Sequence, residues 1–182
     1  MEAAILDPLP RVGRRVILRR LSPADLSTFQ TYRGNEAVGR YQGWSKLSDW
    51  QALAFIEEMS KADLFTRGSW VQLAVADRQT NELIGDIGVC VAADGASAEL
   101  GFTISPRFQR QGLGTEALGE AVGLLFEHSS AVKPVCITDA RNIPSIRLLE
   151  HAGMQRTASA EVIFRGEPCV EHTYAVLRHD GA

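Results

Sequence analysis

The chain has 182 residues, 45 % of them hydrophobic, with 19 lysines and arginines against 22 aspartates and glutamates, for a net charge of −3. This length suits one hydrophobic core, so residues 1–182 are expected to form a single domain with its core over about 14–178. The mildly acidic balance argues against nucleic acid, no run approaches the ~20 apolar residues of a membrane span, and residues 1–15 lack a leader pattern, so a cytoplasmic protein without a membrane partner is expected.

Val16–Arg20 reads as a first strand, after which Ser22-Pro23 supplies an N-cap serine and a first-turn proline for a helix to about Tyr32. Residues 34–43 are loop-like. Ser48 caps a second helix that turns Leu53, Ile56 and Met59 toward the core. Tyr41, Trp44 and Trp50 bring three aromatics into this region, as a hydrophobic cap or as a surface on which a cation stacks. Trp70–Ala76 alternates, with Val71, Leu73 and Val75 on one face, and Glu82–Ala92 follows after a turn. Asp94-Gly95 signals a hairpin into Ala98–Ile104, where Leu100, Phe102 and Ile104 share a face. From Gly112 to Glu127 the period becomes helical, with Leu113, Ala117, Leu118, Ala121, Leu124 and Leu125 in one stripe. Pro134–Thr138 is a short buried strand and Pro144–His151 a helix ended by Gly153. Gln155–Phe164 and His172–Arg178 close the chain as strands about a Gly166-Glu167-Pro168 turn. Cys90, Cys136 and Cys169 form no Cys-x-x-Cys, and the four histidines are unpaired in spacing, so neither a disulfide framework nor a metal site is expected.

The segment Ser105-Pro-Arg-Phe-Gln-Arg-Gln-Gly-Leu-Gly-Thr-Glu116 joins a strand to a helix through a basic, glycine-containing loop. The first amides of a helix lack internal partners and sit at the positive end of its dipole, which favours an anion. Gly112 and Gly114 admit close backbone approach, and Arg107 and Arg110 add positive charge, so the expected ligand carries a pyrophosphate. There is no Gly-x-x-x-x-Gly-Lys-Ser/Thr, and no third glycine follows at Thr115, Glu116 or Ala117. An ATP-binding module remains a weaker alternative. Gln109-Arg110-Gln111-Gly112-Leu113-Gly114 resembles the acyl-CoA loop of the GNAT acetyltransferases, Gln/Arg-x-x-Gly-x-Gly/Ala. Asn142-Ile-Pro-Ser145, followed by Ala152-Gly153-Met154, is similar to that family's Asn-x-x-Ser/Ala and Gly-Phe segment. Glu116-Ala117-Leu118 and Asp139-Ala140-Arg141-Asn142 resemble its RimJ/RimL-like branch, which acetylates ribosomal-protein N-termini.

The resemblance implies an α/β (α+β) fold: a mixed, mostly antiparallel twisted sheet of about seven strands flanked by about four helices, with CoA in the splay between the fourth and fifth strands. It implies acetyl-CoA as co-substrate, no metal, and direct acetyl transfer to a primary amine, either a protein N-terminus or a small-molecule amine, in a possible homodimer. Carried onto this chain, Gln109, Arg110, Gln111, Gly112, Leu113, Gly114 and Thr115 surround the phosphates, Asn142 and Ser145 meet the pantetheine arm, and an amide of Thr103–Ser105, with Ile104 at its centre, faces the thioester oxygen. Many relatives place an acidic tyrosine seven residues after the motif asparagine. Leu149 stands there, which leaves Ser145 as the acid or as a first-turn serine bonding locally. For the base there are Glu99, opposite in phase to Leu100 and Phe102, Asp86, which interrupts an apolar strand, and ordered water; either carboxylate can instead be a hydrated group on the open side of the sheet. The absent tyrosine also leaves open a catalytically silent acyl-CoA-binding or sensing protein on the same fold.

Overall fold

The structure, a computed structural model, describes residues 7–131 and 133–176. Its strands are β1 (Arg11–Val12), β2 (Val16–Arg20), β3 (Trp70–Asp77), β4 (Leu83–Val91), β5 (Ser97–Ile104), β6 (Lys133–Asp139), β7 (Gln155–Phe164) and β8 (Glu167–Ala175). The α-helices are α1 (Leu26–Arg33), α2 (Glu36–Gly39), α3 (Asp49–Lys61), α4 (Leu113–His128) and α5 (Ile143–His151). The strands form one sheet in the order β1-β2-β3-β4-β5-β6-β8-β7, in which only β5 and β6 pair in parallel.

This is the expected mixed, mostly antiparallel sheet with one strand and one helix more than anticipated. The added strand is Arg11–Val12, two residues paired with Leu18 and Ile17, too short to carry a period. The added helix is the single turn Glu36–Gly39, opened by Asn35, whose side chain accepts from the Ala37 and Val38 amides. The final hairpin turns at Arg165-Gly166, both at positive φ (52° and 81°), and not at Gly166-Glu167-Pro168. Two left-handed residues in a two-residue loop match the twist of the flanking strands, so β8 begins at Glu167, five residues before the anticipated start. Leu177 and Arg178 of the anticipated strand lie outside the described residues.

Local signals set the helix starts. Ser48 and Gln51 form a capping box that opens α3, and Ser22 and Asp25 form another on a 3-10 turn leading into α1. Tertiary burial then divides the helices between the two sheet faces. The α4 stripe, with Leu149 of α5, packs on Val16, Leu18, Val71, Leu73, Val75, Ile87, Val89, Ala98 and Leu100. Leu118, Leu124 and Leu125 are almost wholly enclosed, and each such burial contributes about 1.5–3 kcal/mol. On the opposite face α1 and α3 contribute Phe29, Tyr32, Ala52, Ile56 and Met59, packed over Ala74 and Leu83.

One irregularity of the sheet creates the crevice. β5 and β6 pair only at Ser97↔Lys133, Ala98↔Pro134 and Glu99↔Val135. Beyond that point β5 stays with β4 to Ile104, while β6 turns to β8 through Asp139. The two parallel strands part into a wedge that opens toward their C-terminal ends, the usual place for a ligand crevice in a sheet with parallel strands.

Candidate active site

The wedge exposes a strand edge. The Ser105 amide donates to the Ile84 carbonyl and the Ala92 amide to the Ser97 carbonyl, so odd-numbered residues of β5 bond to β4. Antiparallel alternation then turns the backbone groups of Leu100, Phe102 and Ile104 toward the wedge. Within the anticipated stretch Thr103–Ser105, Ser105 and Thr103 are thereby committed to the β4 ladder, leaving Ile104 as the residue whose amide faces the wedge. Two carbonyls on this edge accept from side-chain amides: Phe102 from Gln42 (3.2 Å) and Ile104 from Gln109 (2.8 Å).

At the wedge mouth, Arg110 (φ 60°) and Gly112 (φ 76°) bend the chain sharply into α4. The leading amides of Leu113, Gly114 and Thr115 have no carbonyl one turn back inside the helix, so the N-terminal end presents donors and partial positive charge. The loop is braced from outside. Arg15 donates through Nη1 to the Gln111 carbonyl (2.9 Å) and through Nε to Glu116 (2.9 Å), while Gln111 Nε2 donates to the Arg107 carbonyl (3.0 Å). Glu116 also accepts from the Arg15 and Val16 amides; burial pushes its carboxyl up, but these hydrogen bonds outweigh it and hold the carboxyl below its ordinary value. The two loop glycines divide their work. Gly112 is left-handed, whereas a Cβ on Gly114 would lie 2.6 Å from Leu148 Cδ1 and 3.2 Å from Ile104 Cγ1, so Gly114 lets α4 close on α5 and β5. Arg107 is exposed and only 3.4 Å from Glu82, a contact worth little in water.

Across the wedge, α5 starts at Asn142, whose side chain accepts from the Ser145 amide (3.3 Å). Ser145 precedes Leu148 by three residues and so shares the helix face that meets Gly114 and Ile104. Its hydroxyl makes no hydrogen bond among the described residues. Leu149, at the position of the family's tyrosine, is 0 % exposed and belongs to the core.

The α1/α3 face of the sheet carries the carboxylates. Register places Trp70, Cys90, Glu99 and Val135 in one row, Gln72, Gly88 and Gly101 in the next, and Ala74, Asp86 and Thr103 in the third. A Cβ on Gly101 would meet nothing within 4 Å, so the floor beside Glu99 is open. Asp86 does not face that opening. It is 0 % exposed and accepts from Tyr32 Oη, from Arg33 Nη2 (2.8 Å) and from Gln72 Nε2 (2.6 Å). The Arg33 guanidinium lies between the rings of Phe29 (4.7 Å) and Trp44 (4.5 Å). Burial, then the Asp86 charge, pushes the Tyr32 hydroxyl far above its ordinary value. Asp86, anticipated as a possible base, is thus a sealed anchor that bolts α1 to the sheet. Of the early aromatics, Trp44 is taken up by the chain's own Arg33, and Trp50 is exposed on α3.

Glu99 is different. It is half-buried, with no hydrogen bond or ion pair among the described residues, and burial followed by the nearby Glu171 charge raises its carboxyl above the ordinary value. Glu171 lies on β8 opposite Asp139 and is equally unpaired among the described residues. Asp139, by contrast, is held by Arg141 (2.7 Å), whose hydrogen bond brings its carboxyl to about 2. Glu171 was beyond the reach of the sequence, since it joins the site only through the β6–β8 pairing.

A family model described as an acetyltransferase (GNAT) domain matches residues 15–155. The chain is 29 % identical over 170 residues to an uncharacterized N-acetyltransferase, YoaA, of Bacillus subtilis, covering 90 % of this chain and 94 % of that one. Among solved structures, a GNAT-family acetyltransferase from Bacillus anthracis superposes with a TM-score of 0.81 at 20 % identity, covering 91 % of this chain and 96 % of that chain. RimL, a ribosomal L7/L12 alpha-N-protein acetyltransferase solved with coenzyme A, gives 0.78 at 14 % identity, with 92 % and 97 % covered; these two likenesses bear on the fold.

The two carboxylates of the floor separate in stability measurements. Asp86→Ala strands a buried guanidinium and is expected to cost about 3–5 kcal/mol in denaturant unfolding. Glu99→Gln acts the other way. A carboxyl whose folded value is raised binds its proton more tightly in the folded state, so its charge erodes stability as pH climbs through and above the ordinary carboxylate range. The variant is expected to melt above the parent at neutral pH, with the difference gone by pH about 4; a lower melting temperature at neutral pH would contradict this.

Proposed function

Because the chain belongs to the GNAT acetyltransferase family and is an acetyl-CoA-dependent N-acetyltransferase, we propose that its acceptor is a primary amine that enters over the α1/α3 face and meets the thioester at the fork between β5 and β6. The observation that carries this reading is Glu99, the last β5 residue paired with β6, half-buried, uncompensated, and beside an open glycine floor.

In this reading the pyrophosphate of acetyl-CoA rests on the amides of residues 111–115, with Gln109 and Arg110 shaping the loop. The exposed β5 edge and Asn142 receive the pantetheine arm, and the fit is supported by a strand edge that β6 has left on one side and the leading helix amides on the other. The Ile104 amide points where the thioester oxygen gains charge. The amine arrives largely as an ammonium ion, attracted by Glu99 and Glu171. Glu99 takes one proton, the freed lone pair attacks the carbonyl carbon, and the carbon–sulfur bond breaks as the thiolate takes a proton from Ser145; the second proton of the attacking nitrogen passes to the Ser145 oxygen, completing the amide and free CoA. A carboxyl raised toward neutrality is better matched to that proton than an ordinary one.

The help required depends on the acceptor. An α-amino group with pKa near ~8 is about one-tenth neutral at pH 7, whereas a lysine-like amine near ~10.4 is neutral in fewer than about one molecule per thousand. Protein or peptide N-termini therefore demand less of Glu99 than small alkylamines do.

Incubation with acetyl-CoA and a panel of free-N-terminus peptides, N-terminally blocked lysine peptides, polyamines and aminoglycosides, followed by mass spectrometry, is expected to yield one class heavier by an acetyl group. Failure across the panel by protein that binds acetyl-CoA would overturn the amine reading. With the modified acceptor in hand, Glu99→Gln is expected to lower kcat/KM by ~10²-fold at neutral pH, with the deficit shrinking as pH approaches the amine's own pKa. Ser145→Ala is expected to lower kcat by a similar ~10²-fold; a change under about twofold in either variant removes that residue from proton transfer.

A further inference from the structure

Between α2 and the Ser48 cap of α3, residues 40–47 have no regular structure, yet their contacts cross the mouth of the wedge. Gln42 Nε2 reaches the Phe102 carbonyl on the β5 side (3.2 Å). The Tyr41 ring meets the Arg141 guanidinium just beyond the end of β6 (5.8 Å). Trp44 rests on Arg33, which Asp86 fixes from beneath. From the far side, Arg165 in the β7–β8 turn donates through Nη2 to the carbonyls of Gln42 and Trp44, each at 2.9 Å. One short segment thus bridges both walls of the wedge on the face that carries Glu99.

We propose that residues 40–44 are a strap closing the acceptor side of the wedge, and that Arg165 is the positioning residue that holds it closed. Arg165 occupies a left-handed backbone position (φ 52°) that glycine, asparagine and aspartate adopt far more readily. A tight hairpin alone does not call for arginine there; its side chain has a use in this fold, and the two carbonyls it reaches are that use. The other contacts fasten the strap to α1, β5 and β6, whereas Arg165 ties it to the hairpin at the outer end of the sheet. A closed strap keeps bulk water from the thioester until an amine displaces it. This rests on reading the wedge as the acetyl-CoA seat.

The test uses two variants of the full chain. Arg165→Asn suits the turn and removes the latch; Arg165→Lys keeps a cation with N–H donors. In Arg165→Asn, amide hydrogen exchange across residues 40–47 is expected to quicken ~10-fold with the unfolding midpoint at or above that of the parent. Hydrolysis of acetyl-CoA without amine is expected to rise ~5-fold in kcat, with KM for acetyl-CoA within about twofold. Arg165→Lys is expected to restore most of the exchange protection. Unchanged exchange overturns the latch, and faster exchange with unchanged hydrolysis overturns the strap's role over the thioester. Parent protein that fails to bind acetyl-CoA would instead fell the seat reading, with the exchange result still deciding the latch.

Discussion

The divergence of β5 from β6 after three paired residues is the constraint on which the rest of the molecule depends. A parallel pair that stayed together would satisfy its own backbone and leave nothing to bind. By parting at Glu99 and Val135, the strands leave Leu100, Phe102 and Ile104 with backbone groups facing a gap, and buried backbone of this kind is not left without partners. Side-chain amides of Gln42 and Gln109 take up two of the carbonyls. The helix starts at Gly112 and Asn142 stand at the open end, so donors converge there from both sides. An extended ligand with alternating amides and a phosphate end is the natural complement.

The same face of the sheet holds two carboxylates with opposite fates. Asp86 is surrounded by a phenol, a guanidinium and an amide, and its charge stabilises the docking of α1. Glu99, two rows away, has burial without compensation, and the fold bears the cost of that. Such an arrangement is expected where a proton is to be accepted from a visitor and not from a neighbour. The distinction lies in partners and not in residue type, which is why composition alone could not make it.

What could be anticipated from the amino acids follows the range of the forces involved. The Ser48 cap, the α4 stripe and the glycine loop at residues 109–114 are local, and each is where the spacing put it. The resemblance supplied the order of elements and the splay between the fourth and fifth strands. Asp86 was misjudged because the groups that neutralise it, Tyr32 and Arg33, are more than fifty residues away in sequence and meet it only after α1 docks. The loop glycines could be read as a phosphate approach or as a tight turn with close helix packing, and the space Gly114 leaves for Leu148 is of the second kind. Arg11–Val12 as a strand, Glu171 opposite Asp139, and Arg165 on the Gln42 and Trp44 carbonyls rest wholly on tertiary pairing. No window of sequence contains them.

The bracing of the loop by Arg15 bears on how quickly a ligand can be seated. Because that guanidinium grips both the Gln111 carbonyl and Glu116, the turn into α4 is tied to the N-terminal edge of the sheet before anything binds. If the phosphates of acetyl-CoA seat here as proposed, a loop tied in advance has less to order on encounter, and capture depends more on diffusion and on the ionic atmosphere around the exposed Arg107 and Arg110. Selectivity among thioesters sharing the same nucleotide end then falls to the acyl end and to the time each spends bound.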